Sequence, residues 1–268
     1  MELIVLFLLV VTANADSSSR VSGGVSTLPG QYPAAVSIDS PYVLHCGGTV
    51  LDLQHVLTAA FCVMHPTTFS SVNPHWLRVI AGDLNLVPVS YRREVRKISQ
   101  IFIHPNFNNV TNDNDLAVLR LDSPFPEFHN TIDPAILAMP FSPYRSQCQY
   151  VGWGAATSGD GVVLNPTQRV INVPIIATVD CNVPTVHNYR VLPTMFCAGS
   201  LSATADTTCQ GNVGGGLYCN GQLEGVLIFG LACGSANQPG VYMDVRQYRE
   251  WIYSQLYRTD NPEPSWMP

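Results

Sequence analysis

The chemistry open to this 268-residue chain is limited first by where its ligating and nucleophilic side chains fall. Seven histidines (His45, His55, His65, His75, His104, His129 and His187) are scattered without ligand-type pairing, and neither His-Glu-x-x-His nor Cys-x-x-Cys occurs. No tetrahedral ligand set follows from such spacing, so no metal and no cofactor is expected. The eight cysteines (Cys46, Cys62, Cys148, Cys181, Cys197, Cys209, Cys219 and Cys233) are even in number. An oxidising compartment would join them in disulfides, and spacing does not choose the pairing. Arg92-Arg93-Glu94-Val95-Arg96-Lys97 packs five charges into six residues and includes the only lysine. It reads either as a solvated strand or loop edge, or as an exosite in which Arg92, Arg93, Arg96 and Lys97 meet an acidic protein partner. Asn109-Val110-Thr111 has the pattern of an N-glycosylation acceptor, so a glycan on Asn109 is expected.

The elements that must position these groups are short strands. With 46% hydrophobic and 12% charged residues, the chain can bury a substantial core as one large domain or two small ones. A net charge of -6 argues against a nucleic-acid surface. The apolar run Leu3 to Val11, followed by Ala13-Asn14-Ala15, reads as a signal peptide over residues 1–15 with cleavage before Asp16, and is too short to span a membrane. A secreted, extracellular protein with no membrane span is expected. Beyond it come Ala34 to Ile38, Thr49 to Leu51, Leu77 to Ile80, Ile98 to Ile103, Leu116 to Leu121, Val170 to Val173 and Leu223 to Phe229. Turn residues separate these runs at intervals suited to a sandwich or barrel. The connection from Ile132 to Pro143, with three prolines, is the best internal boundary. Val245, Tyr248, Trp251, Ile252 and Leu256 fall on one face at helical spacing, giving a single helix over 245–256 and leaving a tail at 257–268.

At Cys46-Gly47-Gly48, Leu57-Thr58-Ala59-Ala60-Phe61-Cys62, Asn114-Asp115-Leu116-Ala117-Val118-Leu119, Gly152-Trp153-Gly154 and Cys209-Gln210-Gly211-Asn212-Val213-Gly214-Gly215-Gly216, the sequence resembles the trypsin and chymotrypsin family of serine proteases. These motifs stand in family order along the chain from Val21 to the C-terminal helix. The resemblance implies an all-β fold of two antiparallel Greek-key barrels over about 21–132 and 143–244, closed by the helix, within a domain spanning 21–256. It also implies bridges Cys46 to Cys62, Cys148 to Cys219, Cys181 to Cys197 and Cys209 to Cys233. Arg20-Val21 resembles the family's activation site, with residues 16–20 as a very short propeptide.

The same likeness identifies what is missing. Hydrolysis in the family needs a hydroxyl nucleophile, an imidazole base and a buried carboxylate that orients the imidazole. The imidazole position is Phe61, the nucleophile position is Val213, and Asp115 alone remains. The resemblance also implies a former oxyanion hole at Gly211 and Val213 and a former specificity pocket around Thr207, Gly230 and Gly240, with Thr207 where trypsin-like members carry an acid. Asn212 stands where an aspartate would pair with the new N-terminus, so cleavage after Arg20 is not expected to drive its insertion. His65 is expected in a loop away from the cleft, calcium is not expected at Asp83, and Asp115 is expected to be a relic held by amides near Ala60 and Phe61. The expectation is therefore a secreted protein that is not an enzyme: a pseudoprotease, monomeric, that binds a protease, its substrate or an inhibitor as cofactor, decoy or scaffold. The alternatives are an active endopeptidase with an unrecognised arrangement and a small-ligand or carbohydrate binder using the apolar cleft.

Overall fold

The computed structural model describes residues 24–42, 45–140, 147–154, 166–201, 213–230 and 239–258. The expected signal peptide and propeptide with Arg20 and Val21, the positions Thr207 and Gly211, the bridge Cys209–Cys233 and the tail from 259 lie outside the described residues. After a short strand β1 (Val25–Ser26), six strands follow: β2 (Ala35–Asp39), β3 (Cys46–Val50), β4 (His55–Thr58), β5 (Arg78–Ala81), β6 (Glu94–Ile103) and β7 (Ala117–Leu121). They close into an antiparallel barrel in the order β2-β3-β4-β7-β6-β5. The expected connection near Ile132 carries a short strand of its own, β8 (Ile136–Leu137).

The second set is β9 (Gln147–Gly152), β10 (Arg169–Ile176), β11 (Met195–Ala198), β12 (Gly216–Cys219), β13 (Gln222–Phe229) and β14 (Gly240–Asp244), with the short helix α1 (Thr178–Cys181) between β10 and β11. Its order is β10-β11-β14-β13-β12-β9, and β10 pairs back onto β9, closing a second six-strand antiparallel barrel. Strand β1 adds to β10, and β8 runs parallel to β13. Closure removes the open edges that would otherwise seek pairing partners. Three disulfides, Cys46–Cys62, Cys148–Cys219 and Cys181–Cys197, hold these strands. Each restricts the unfolded chain by an amount typically worth about 2–4 kcal/mol.

The helical face expected at the C-terminus begins as a 3-10 turn, Val245–Tyr248, and continues as α2 (Arg249–Leu256). Tyr248 and Ile252 are buried, and His104, at the end of β6, meets the rings of Tyr248 and Trp251 edge-on at 5.2 and 4.8 Å. The helix from the end of the chain thus packs against the first barrel. Across the barrels, the Tyr32 hydroxyl donates to Gln149 Oε1 (2.7 Å), and Trp153 Nε1 donates to the Leu84 carbonyl (2.8 Å).

Candidate active-site cleft

Asp115 stands at the end of a loop that β6 and β7 bracket, and it is 1% exposed. Its neighbours are pinned to the C-terminal part of the chain: Tyr248 Oη donates to Asn114 Oδ1 (2.9 Å), and Thr194 Oγ1 donates to Asp113 Oδ1 (2.6 Å). The loop cannot drift away from the second barrel while these bonds hold. On the other side, Phe61 lies in the 3-10 turn Ala60–Val63, and its amide donates to Asp115 Oδ1 at 2.8 Å. Among the described residues, Asp115 Oδ2 has no hydrogen-bond partner. Burial pushes the carboxyl up to about 7, with the Phe61 and Ala60 amides pulling the other way. The expected amide support is present, and it leaves one oxygen unpartnered.

Val213 arrives from the second barrel. Its carbonyl accepts from the Gly47 amide at 2.8 Å and lies 3.4 Å from Cys62 Sγ, which seats it on the Cys46–Cys62 bridge. Gly214 follows with φ +84, where a Cβ would meet Thr58 Oγ1 at 2.2 Å and the Gly47 carbonyl at 2.5 Å. Only glycine fits both that conformation and that approach. The geometry thus brings Phe61, Asp115 and Val213 to the junction of the two barrels. Phe61 is 42% exposed, and Val213 is half-buried.

This is the architecture of a known family. A family model described as Trypsin matches residues 21–252. The chain belongs to the trypsin family. It is 28% identical to a protein named Trypsin from Xenopus laevis over 96% of this chain and 99% of that one. It is also 28% identical to Trypsin-3 of Salmo salar, covering 90% of this chain and 94% of the relative, and 29% identical to Serine protease 1 of Rattus norvegicus, covering 88% and 90%. The expectation of a chain that is not an enzyme is corrected here, because relatives matched over nearly their full length carry protease names. What stands for this member is trypsin-family membership with hydrocarbon side chains, Phe61 and Val213, beside the buried carboxylate.

Two of the three residues expected around a former specificity pocket are described. Gly230 is exposed at the end of β13, and Gly240 is buried at the start of β14. Next to them is a packing unit that sequence reasoning missed. His187, fully buried, lies 3.0 Å through Nε2 from the Pro239 carbonyl and meets Phe229 edge-on at 5.8 Å; the Arg190 guanidinium lies 5.5 Å from the same ring. Burial lowers the affinity of His187 for a proton, the Pro239 carbonyl opposes this, and Arg190 reinforces it. The only signal in the sequence was a cation three residues after a histidine. His65 sits in the loop after the 3-10 turn, its Nδ1 accepting from the Thr67 and Thr68 amides at 3.3 Å and its ring against Tyr42.

The four-residue basic exosite requires correction. Arg93 is turned inward, with Nε donating to Asp83 Oδ2 at 3.0 Å and Nη2 donating to the carbonyls of Asn85 and Leu86 at 2.5 and 2.8 Å. Burial pushes the Asp83 carboxyl up, but the Ser90 and Asn85 amides and Arg93 outweigh it and hold it below the ordinary range. Arg96 pairs with Glu94 at 2.8 Å and lies 5.5 Å from the Phe125 ring. Arg92 and Lys97 are exposed. The cluster failed as a unit because β6 begins at Glu94, so alternate residues face different surroundings. Asn109, Val110 and Thr111 are exposed in the turn between β6 and β7. Among the described residues, no group of histidine, cysteine or acidic side chains could hold a metal ion.

Proposed function

We propose that this trypsin-family chain is a secreted protein that works by holding a protein partner, a protease, a protease substrate or an inhibitor, in the cleft where the two barrels meet. The observation that carries the reading is Phe61. The residue is 42% exposed, while its amide is committed to the buried Asp115. A proton relay at this point requires an imidazole, and a phenyl ring neither accepts nor delivers a proton. What it offers instead is rigid apolar contact area, the kind of anchor on which protein interfaces concentrate their energy. Val213 adds a second apolar surface, fixed by the Gly47 amide and the disulfide behind it.

Secretion rests on the apolar leader at residues 1–15 and on the disulfides, which persist in oxidising compartments. Among the described residues no helix is long and apolar enough to cross a membrane. The proposal takes residues 16–20 as a short propeptide ending at Arg20, residues 21–256 as the working domain, and Asn109 as the glycan acceptor. The test is calorimetric titration of the mature chain with a small protein inhibitor of trypsin. A saturable one-to-one complex, weakened at least about tenfold by Phe61→Ala, is expected, since hot-spot truncations cost about 1.4 kcal/mol or more. Absence of binding, or binding indifferent to Phe61→Ala, refutes the cleft as the docking site.

A further inference from the structure

A second concave site exists that shares no lining residue with Phe61, Asp115 or Val213. It is a pocket of about 310 Å³ between the segment before β2 and the loop from β5 to β6, and its wall includes Tyr32, Asn85, Tyr91, Arg92, Thr131 and Gln168. The acids beside it are already answered. Asp83 is bonded to Arg93, and Glu94, in the shallow depression next door, is paired with Arg96. What remains presented is a set of donors. Gln168 lines the pocket and is 3% exposed; its Oε1 accepts the Thr27 hydroxyl at 2.7 Å, and its Nε2 has no hydrogen-bond partner among the described residues. Arg92 gives only its Nε, to the Tyr91 hydroxyl at 2.9 Å, and its terminal nitrogens meet no acid among the described residues. Tyr91 itself is 90% exposed, with the Arg92 guanidinium 5.3 Å from its ring.

The uncommitted side-chain amide of Gln168 is a donor that a ligand's acceptor can take. Together with an unneutralised guanidinium and two tyrosine rings, it selects a ligand with a charged acceptor on an apolar stem. We propose that this pocket is a binding site for an acidic side chain of a protein partner, with Arg92 and Gln168 gripping the carboxylate and Tyr32 and Tyr91 flanking its stem. The site is independent of the cleft reading. Of the basic cluster it retains Arg92 alone.

The probe is a dye-labelled hexapeptide of alternating Glu and Leu with an amidated C-terminus, followed by fluorescence anisotropy on the mature protein, with a Gln-for-Glu peptide as control. Saturable binding is expected for the acidic peptide, weakened about tenfold or more in the Gln peptide and in Arg92→Glu, the loss of one charge-assisted contact. Tyr91→Ala should weaken it several-fold. Lys97→Glu changes the net charge equally outside the pocket and should leave binding within about twofold, as should Phe61→Ala; unchanged urea midpoints verify that the variants fold. The proposal is overturned if the wild-type protein shows no saturable binding, if the Glu and Gln peptides bind alike, if Lys97→Glu loses as much as Arg92→Glu, or if Phe61→Ala abolishes the signal.

Discussion

Substituting Asp115 by asparagine tests the physical core of the site, because it keeps an oxygen for the Phe61 amide and removes the titration. The folded carboxyl has a pKa of about 7, against 3.8 for an unperturbed one. Below the lower value both states are protonated and the stabilisation is fully present. Between the two values the unfolded chain has released a proton that the folded chain keeps, so stability falls as pH rises. Over roughly three pH units at about 1.4 kcal/mol per unit, the loss is about 4 kcal/mol, complete above about pH 7. Urea unfolding of wild type and Asp115→Asn at several pH values between about 4 and 8 reads this as a difference between two curves, in which all other titrations cancel. The wild type should lose about 4 kcal/mol relative to the variant across that range. Parallel curves would show that Asp115 is solvated or paired in the folded protein and would refute the argument.

Gly214→Ala should destabilise the fold by about 3 kcal/mol or more, since its φ of +84 and its contact with Thr58 and Gly47 leave no room for a methyl group; thermal unfolding measures it. Arg93→Ala should cost about 3–5 kcal/mol in urea unfolding by leaving Asp83 without its guanidinium, whereas Arg92→Ala, at the adjacent but exposed residue, should stay within about 0.5 kcal/mol. Expression of the chain in a secreting eukaryotic cell should give a glycosidase-sensitive shift in electrophoretic mobility that disappears in Asn109→Gln. An identical migration of both would remove the glycan.

The barrels were legible where apolar residues run together along the chain. Strands β2, β5, β7, β10 and β13 each overlap an apolar run visible in the sequence. Strands β4, β11, β12 and β14 lie outside those runs; each is four or five residues long and fully buried, so neither length nor alternation marks it. The charged half of β6 was hidden for the opposite reason: Glu94 and Arg96 spend their charges on each other, which no composition window reveals. In the cleft, the meeting of Phe61, Asp115 and Val213 was legible through the family motifs. The unpartnered Oδ2 and the His187–Phe229–Arg190 stack were not, since each joins residues far apart in the chain, and neither was the inward turn of Arg93, which is set by the loop from Asp83 to Leu86.

Amide hydrogen exchange of the mature chain, with and without a saturating small protein inhibitor of trypsin, most directly tests the claim that the partner is held in the cleft. The account predicts protection concentrated in Thr58 to Val63 and Val213 to Gly215, with the loop from Asp83 to Arg93 unchanged. Protection confined to that loop, or none at Phe61 and Val213 at full occupancy, would contradict it.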